Sequence, residues 1–425
     1  MKISFLLSNE KLLNMNNLKY LLFSCTFLAY FLASCQSNNK QIKKDPTGNN
    51  SKSVETQEAN TKYPPAFPGQ TRINKVATKT PYEVNILSKD LKRPWAIIQM
   101  PDDRFLITEK SGKMKILGLD GSQQKEIKGL PKVDDDGQGG LLDVALDPDF
   151  NNNRMIYWSF SEPHDEGNLT AVGKGRLSAD ETKLEDIKVI FRAFPVFESD
   201  LHFGSRLAFD KDENLFVSTG ERSHMEGRMQ AQNLKSGLGK IFKITKEGKP
   251  APGNPFINTK DVMPEIYSYG NRNAQGIDIH PVTGELWEAE FGPRGGDEIN
   301  IIRSGKDYGW PTITYGLEYS GEIVGQAITQ KEGMEQPVYY WDPVVSPSGI
   351  SFYASSVIPE WQNNLFIACL SGTHICRLVI ENNKVIGEER LLADQGERFR
   401  DIVDGRDGAL YAVTDSGKLY KVGKK

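Results

Sequence analysis

The chain has 425 residues, 38% of them apolar, and a formal charge of −4 from 52 basic and 56 acidic side chains. That length and apolar content bury a large core, while a slightly acidic balance without a basic stripe excludes nucleic acid as a partner. The four cysteines show no zinc-ligand spacing, which excludes a structural zinc module.

The first element is an address. After Lys19 comes the apolar run YLLFSCTFLAYFLAS, about 15 residues, which is short for a membrane span and has the length of a signal h-region. Leu32-Ala33-Ser34-Cys35 resembles the lipobox of bacterial lipoproteins. The resemblance implies a lipoprotein signal peptide over 1–34, lipidation of Cys35, and an exported protein anchored to a membrane facing the periplasm or cell surface. A plain secretory signal or an uncleaved anchor is the alternative, and Met15 is a second candidate start. Residues 35–75, rich in Asn, Ser, Lys, Thr and Pro, are expected to form a flexible tether, and 76–425 the catalytic domain.

Six units then repeat: AIIQMPDDRFLITEK, LLDVALDPDFNNNRMIYWSFS, RLAFDKDENLFVSTGE, GIDIHPVTGELWEAEFG, GISFYASSVIPEWQNNLFIACLSG and DIVDGRDGALYAVTDSG. Each places a Pro, Asp, Asn or Gly turn between period-2 apolar runs, the signature of antiparallel strands. Turns spaced roughly 45 to 80 residues apart leave room for four strands and variable loops. The predicted fold is therefore all-β, a six-bladed β-propeller of four-stranded antiparallel sheets, in preference to a sandwich. YEVNILSK, ahead of the first unit, is expected to complete the last sheet and close the ring. In a hairpin the start of the first strand and the end of the second share one end. Pro94-Trp95, Gln138, His202, Arg272-Asn273-Gln275, Ser346-Pro347-Ser348 and Arg398-Arg400 should thus collect on one face.

His202 precedes one such strand and Glu221 ends the next, so a carboxylate is expected beside an imidazole, fixing its tautomer and raising its basicity as a general base requires. His164, His224, His280 and His374 fall in turns or loops and are expected at the surface. Arg272 supplies a cation and donor fork, with Asn273 and Gln275 as neutral donors. Glycines 292, 295 and 296 let carbonyls face a ligand, and with Glu290, Asp297, Glu298 and Glu318 they read either as hard oxygen donors suited to calcium or as a loop stabilised by Arg–carboxylate pairs. Arg398 and Arg400 alternate along a strand and face one side, where two cations suit a polyanion. Tyr340 and Trp341 read either as an apolar wall of the site or as interblade packing. Cys369 and Cys376 are either a disulfide or two buried thiols.

Taken together, HFGSRLAFDKDENLFVSTGE, LGKIFKI with GNPF, YGNRNAQG, EFGPRGGDEINII, GKDYGWP, SPSGISFY and ERFRDIV resemble the soluble quinoprotein sugar dehydrogenases, and most of all their aldose sugar dehydrogenase branch. The resemblance implies pyrroloquinoline quinone (PQQ) and calcium as cofactors, and oxidation of an aldose to its lactone. It implies His202 as the base, oriented by Glu221 where the family commonly has Asp, with Arg272 also at the reacting centre. Arg272, Asn273, Gln275, Arg398 and Arg400 would hold the cofactor, and Gln138 its boundary with the sugar. Asp200, Tyr340 and Trp341 would face the substrate. Carbonyls of Gly292 and Pro293 would hold one calcium, and Glu298, Tyr308 and Glu318 a second. A loop lysine of the glucose-oxidising branch is missing from Leu370-Ser371-Gly372, and Lys240 is a candidate replacement. The electron acceptor is expected to be a quinone or a cytochrome. A propeller that only binds its ligand and a calcium-dependent lactonase are the competing functions.

Overall fold

The structure, a computed structural model, describes residues 52–425. The expected signal peptide, Cys35 and the start of the tether lie outside the described residues.

Six four-stranded sheets, all antiparallel, stand around one axis. In chain order, β1 (Tyr82–Ser88) precedes a first blade of β2 (Pro94–Gln99), β3 (Phe105–Glu109), β4 (Lys113–Leu117) and β5 (Gln123–Ile127). The second holds β6 (Leu141–Leu146), β7 (Met155–His164), β8 (Gly167–Leu177) and β9 (Leu184–Arg192). The third holds β10 (Leu207–Phe209), β11 (Leu215–Ser218), β12 (Lys240–Ile244) and β13 (Ile266–Tyr269). The fourth holds β14 (Ala274–Ile279), β15 (Leu286–Glu290), β16 (Asp297–Ile302) and β17 (Tyr339–Trp341). The fifth holds β18 (Pro347–Phe352), β19 (Leu365–Cys369), β20 (His374–Glu381) and β21 (Lys384–Leu391). The sixth combines β22 (Phe399–Asp404), β23 (Leu410–Thr414) and β24 (Leu419–Lys424) with β1, which pairs with β24 from Tyr82 opposite Lys424 onward. The expected six-bladed propeller, and its closure by YEVNILSK, is the observed fold.

Period-2 alternation explains the packing. Ala96 and Leu106 turn one way, into a core shared with Leu141, Trp158 and Phe160 of the second blade. Their neighbours Ile97, Phe105 and Ile107 turn the other way, against Tyr411, Val413 and Leu419 of the sixth. Further apolar clusters fill the other blade-to-blade gaps.

Around the axis a polar device repeats in every second blade. Asp143 on β6 accepts the Leu207 N–H at 2.7 Å, Asp278 on β14 the Phe352 N–H at 2.7 Å, and Asp401 on β22 the Ile97 N–H at 2.8 Å, each a backbone donor of the following blade. Arg206 spans the ring: Nη1 lies 3.2 Å from Asp143 Oδ1 and 3.0 Å from Asp401 Oδ1, Nε donates to Gln275 O at 2.6 Å, and the guanidinium sits 4.1 Å from the Trp95 ring.

The flexible tether expected to extend to residue 75 is corrected. Asp342 accepts from Asn60 N and Nδ2 at 2.8 Å each and from Thr61 N and Oγ1 at 2.9 Å each. Gln70 is fully buried, its Nε2 donating to Pro337 O at 2.9 Å, and Glu55 pairs with Arg390 at 2.9 Å. The polar composition that reads as a linker is spent on these partners. Asp342→Ala is expected to leave the propeller folded while limited proteolysis between residues 55 and 70 accelerates at least about tenfold, since four hydrogen bonds are lost and a single one to a charged group contributes about 1.5 kcal/mol.

Two further expectations change. His280 and His374 are buried, His280 with its ring 4.6 Å from that of Phe352 and His374 as the first residue of β20; His164 and His224 are exposed as expected. Cys369 and Cys376 are separate buried thiols on adjacent strands, in the core between the fourth and fifth blades.

Candidate active site

The loops at one end of the axis enclose a cavity of about 440 Å³. Gln138 and His202 line it from loops ahead of β6 and β10, Arg398 and Arg400 from the start of the sixth blade, and Ser346 from the fifth. Arg93, Lys110, Phe291, Tyr319, Leu370 and Asp415 complete the wall.

His202 is held from several sides. Its backbone is left-handed, with φ 48°, an uncommon conformation for a residue with a Cβ. Its N–H donates to Gln138 Oε1 at 2.9 Å, and Gln138 N in turn donates to Asp200 O at 2.7 Å. Gly220 must be glycine because a Cβ there would stand 2.2 Å from His202 O. Arg222 supports the loop from behind, donating from Nε to Leu201 O at 3.0 Å with its guanidinium 3.8 Å from the Phe203 ring.

Glu221 Oε1 lies 3.3 Å from His202 Nδ1 and 3.9 Å from Arg272 Nε, all three side chains almost wholly buried. Burial, followed by the Arg272 charge, lowers the imidazole pKa below its ordinary value, and the Glu221 contact offsets only part of this. The raised basicity expected from the carboxylate is therefore corrected: desolvation wins over the charge pair, and the ring is neutral at pH 7. With Nδ1 turned to Glu221, Nε2 is the nitrogen left to take a proton.

Arg272 is anchored by Glu290, whose Oε2 accepts its N–H at 2.6 Å, and its Nη1 donates to Phe291 O at 2.9 Å and Gly292 O at 2.8 Å. Asn273 and Gln275 serve the His202 loop: Asn273 Oδ1 accepts from Gly204 N at 3.0 Å, and Gln275 Nε2 donates to Gly204 O at 3.1 Å. Arg398 and Arg400 bracket Asp415, each with Nε 3.0 Å from a different carboxylate oxygen.

Several expected site residues stand elsewhere. Tyr340 and Trp341 do not line the cavity: they sit on the outermost strand β17, Tyr340 stacked 4.0 Å from Tyr315 and Trp341 in the core with Tyr339. Asp200 is exposed beside Gly137 and reaches the site through its backbone carbonyl. Lys240 does not replace the missing loop lysine, because its Nζ is buried against the carbonyls of Gln230, Ala231 and Leu238.

The calcium donors are also committed internally. Gly292 O already accepts from Arg272, and Asp297 accepts the Gly292, Val345 and Ser346 amides. Half-buried Glu298 and buried Glu288 and Glu290 surround Asn300 Nδ2, at 3.2, 3.1 and 3.4 Å, and desolvation raises all three carboxyl pKa values. The Tyr308 hydroxyl donates to Ile301 O at 2.6 Å, and Glu318 pairs with Arg228 at the edge of a different cavity. The trio of Glu298, Tyr308 and Glu318 thus does not converge as a calcium site, and among the described residues no group of three or more His, Cys, Asp or Glu is arranged around a metal position.

Residues 91–421 match the Glucose / Sorbosone dehydrogenase family. The chain belongs to that family. Over 347 residues it is 42% identical to the aldose sugar dehydrogenase YliI of Escherichia coli K12, covering 80% of this chain and 92% of that one. The crystal structure of the soluble E. coli aldose sugar dehydrogenase in its apo form superposes with a TM-score of 0.78 at 42% identity, over 81% of this chain and 100% of that one. The PQQ-bound aldose sugar dehydrogenase of Streptomyces coelicolor gives a TM-score of 0.67 at 26% identity, over 82% and 99%. PQQ is the cofactor bound in that Streptomyces structure, and this glucose/sorbosone dehydrogenase family member is a sugar dehydrogenase, an oxidoreductase. Its cavity suits such a cofactor: Arg93, Lys110, Arg398 and Arg400 face it with Asp415 as the one carboxylate, a surplus of cations for a ligand with three carboxylates.

Proposed function

We propose that the protein oxidises the C1 hydroxyl of an aldose to the lactone, with His202 as general base. The observation that carries this reading is the buried, neutral imidazole of His202 in the wall of a cation-lined cavity, with Glu221 3.3 Å from its Nδ1 and Gln138 holding its backbone N–H. When bound, PQQ supplies the quinone carbon that accepts the hydride from C1. Nε2 of His202 takes the hydroxyl proton as that hydride leaves, so C1 and its oxygen lose two electrons and two hydrogens together and a C=O bond forms. Arg398 and Arg400 would hold cofactor carboxylates, and Arg272, whose Nε lies 3.9 Å from the Glu221 carboxylate, would polarise the reacting end.

Calcium is part of the proposal through its carbonyl donors. Gly292 O accepts one hydrogen bond, from Arg272, and keeps its second lone pair for a cation, so both carbonyls would serve as calcium donors. Chelation after loading is expected to lower dye reduction about tenfold or more, with calcium restoring it, if a metal holds the cofactor oxygens. Unchanged turnover in excess chelator refutes the metal.

The deciding experiment is addition of PQQ and calcium to purified apoprotein with an aldose and an artificial dye. Aldose-dependent dye reduction is expected; lactone hydrolysis without the quinone overturns the reading in favour of a hydrolase. Delivery of electrons to a membrane quinone or a cytochrome, and anchoring through a lipid on Cys35, belong to the same proposal. Cys35→Ala is expected to move the protein from the membrane to the soluble fraction.

A further inference from the structure

Three lysine ammonium groups are buried in this propeller, and two are accounted for. Lys115 Nζ pairs with Glu109 at 2.8 Å. Lys240 Nζ spends its donors on three carbonyls, at 2.9, 2.7 and 2.6 Å. Lys110 differs. It is 8% exposed, its Nζ donates to one carbonyl, that of Gly137, and among the described residues no carboxylate stands within ion-pair distance. A buried cation with two unspent donors is costly unless something pairs with it.

Its backbone is pinned on both sides. Lys110 N donates to Arg93 O at 3.1 Å, and its carbonyl accepts from Leu141 N at 2.9 Å, which ties the end of β3 to the start of β6. The side chain lines the cavity that also holds Arg400, Arg398 and His202, and its carbonyl partner is the residue before Gln138. Across the same cavity stands Leu370, in the loop that lacks a cation.

We propose that Lys110 is a cofactor ligand: its ammonium pairs with a carboxylate of bound PQQ and, with Arg400, fixes the position of the ring system. The first blade thereby supplies the cation that Leu370-Ser371-Gly372 does not. This rests on the PQQ reading above and adds a residue to it.

Without ligand, burial first and then the Arg93 and Arg400 charges lower the ammonium pKa to about 8, with Asp415 and Asp135 opposing. An anion bound against it favours the charged form. Formation of the complex at pH 9 therefore takes up a proton, to which His202, neutral throughout, does not contribute.

The test uses purified apoprotein in calcium-containing buffer, titrated with PQQ by calorimetry at pH 9 in two buffers of different ionisation heat, alongside thermal melts. Lys110→Met is expected to weaken PQQ binding about tenfold or more and to abolish proton uptake, with Lys110→Arg restoring affinity to within about threefold. The Lys110→Met apoprotein is expected to melt at or above the wild-type temperature, because an unpaired buried charge has gone, while its gain on adding PQQ shrinks. Wild-type affinity and proton uptake in Lys110→Met overturn the assignment of the lysine alone. Absence of PQQ binding by the wild-type protein overturns both the assignment and the reading it rests on. A lowered apoprotein melt with unchanged affinity assigns Lys110 a structural role and likewise refutes the inference.

Discussion

His202→Ala is expected to lower kcat by about 10²- to 10⁴-fold, the usual contribution of a positioned general base, while affinity for PQQ changes by less than about threefold. The separation of the two effects follows from geometry. The cations that suit the cofactor carboxylates, Arg398, Arg400, Arg93 and Lys110, come from other loops, and the His202 loop is fixed through backbone contacts with Gln138, Asn273 and Arg222 that survive truncation of the ring. Because burial lowers the imidazole pKa, the acid limb of kcat/KM in the wild-type protein is expected below pH 6.5: the base stays neutral, and active, to lower pH than an exposed histidine. Glu221 is the one group that raises it, so Glu221→Gln is expected to move that limb further down and to reduce kcat by weakening the base. Steady-state kinetics across pH 5 to 9 with parallel cofactor titration measure both. Turnover of His202→Ala near the wild-type rate refutes the base assignment.

Arg206→Leu is expected to destabilise the fold by about 3–5 kcal/mol, the usual cost of stranding buried charges. The guanidinium is the shared cation of Asp143 and Asp401, which lie in the second and sixth blades, and it ties in Gln275 of the fourth. Its removal leaves two carboxylates buried in the axis without a counter-charge. Burial already raises Asp143 to about 6 and raises Asp401, against the pull of Arg206. A carboxyl whose pKa is higher folded than unfolded binds its proton preferentially in the folded state, so stability falls as pH rises through the window between the two values. Loss of Arg206 widens that window. The deficit is expected to be larger at pH 8 than at pH 5, read as the difference in Tm between variant and wild type at each pH; equal deficits at both refute the electrostatic account.

Architecture was legible in the sequence because each blade repeats one hairpin grammar, and closure was legible because YEVNILSK had the strand period and no partner near it. The rim was half legible. Residues before each inner strand, such as Gln138, His202, Arg398 and Arg400, were found by asking where hairpin starts gather. The same argument applies to hairpin exits, and it would have found Lys110 after β3, Phe291 after β15, Leu370 after β19 and Asp415 after β23, all of which line the cavity. Arg93, just ahead of Pro94, was missed by one residue. Tyr340 and Trp341 stayed open between cavity wall and interblade packing because aromatic content does not separate the two; the structure shows packing, on Tyr315 and in the core between blades. The carboxylates around Gly292 were legible as a cluster but not as acceptors for Arg272, Asn300 and the Val345 and Ser346 amides, since those partners come from separate loops and strands.

Pairing of β1 with β24 sets an order of events on synthesis. The partners Tyr82 and Lys424 stand at opposite ends of the propeller sequence, so β1, the outer strand of the sixth blade, has no partner until β24 has left the ribosome. Contacts this distant form late and slowly. A circle that cannot fasten early leaves the edge of β1 open while the blades between are made, and the last strand in the order is the clasp that locks the ring.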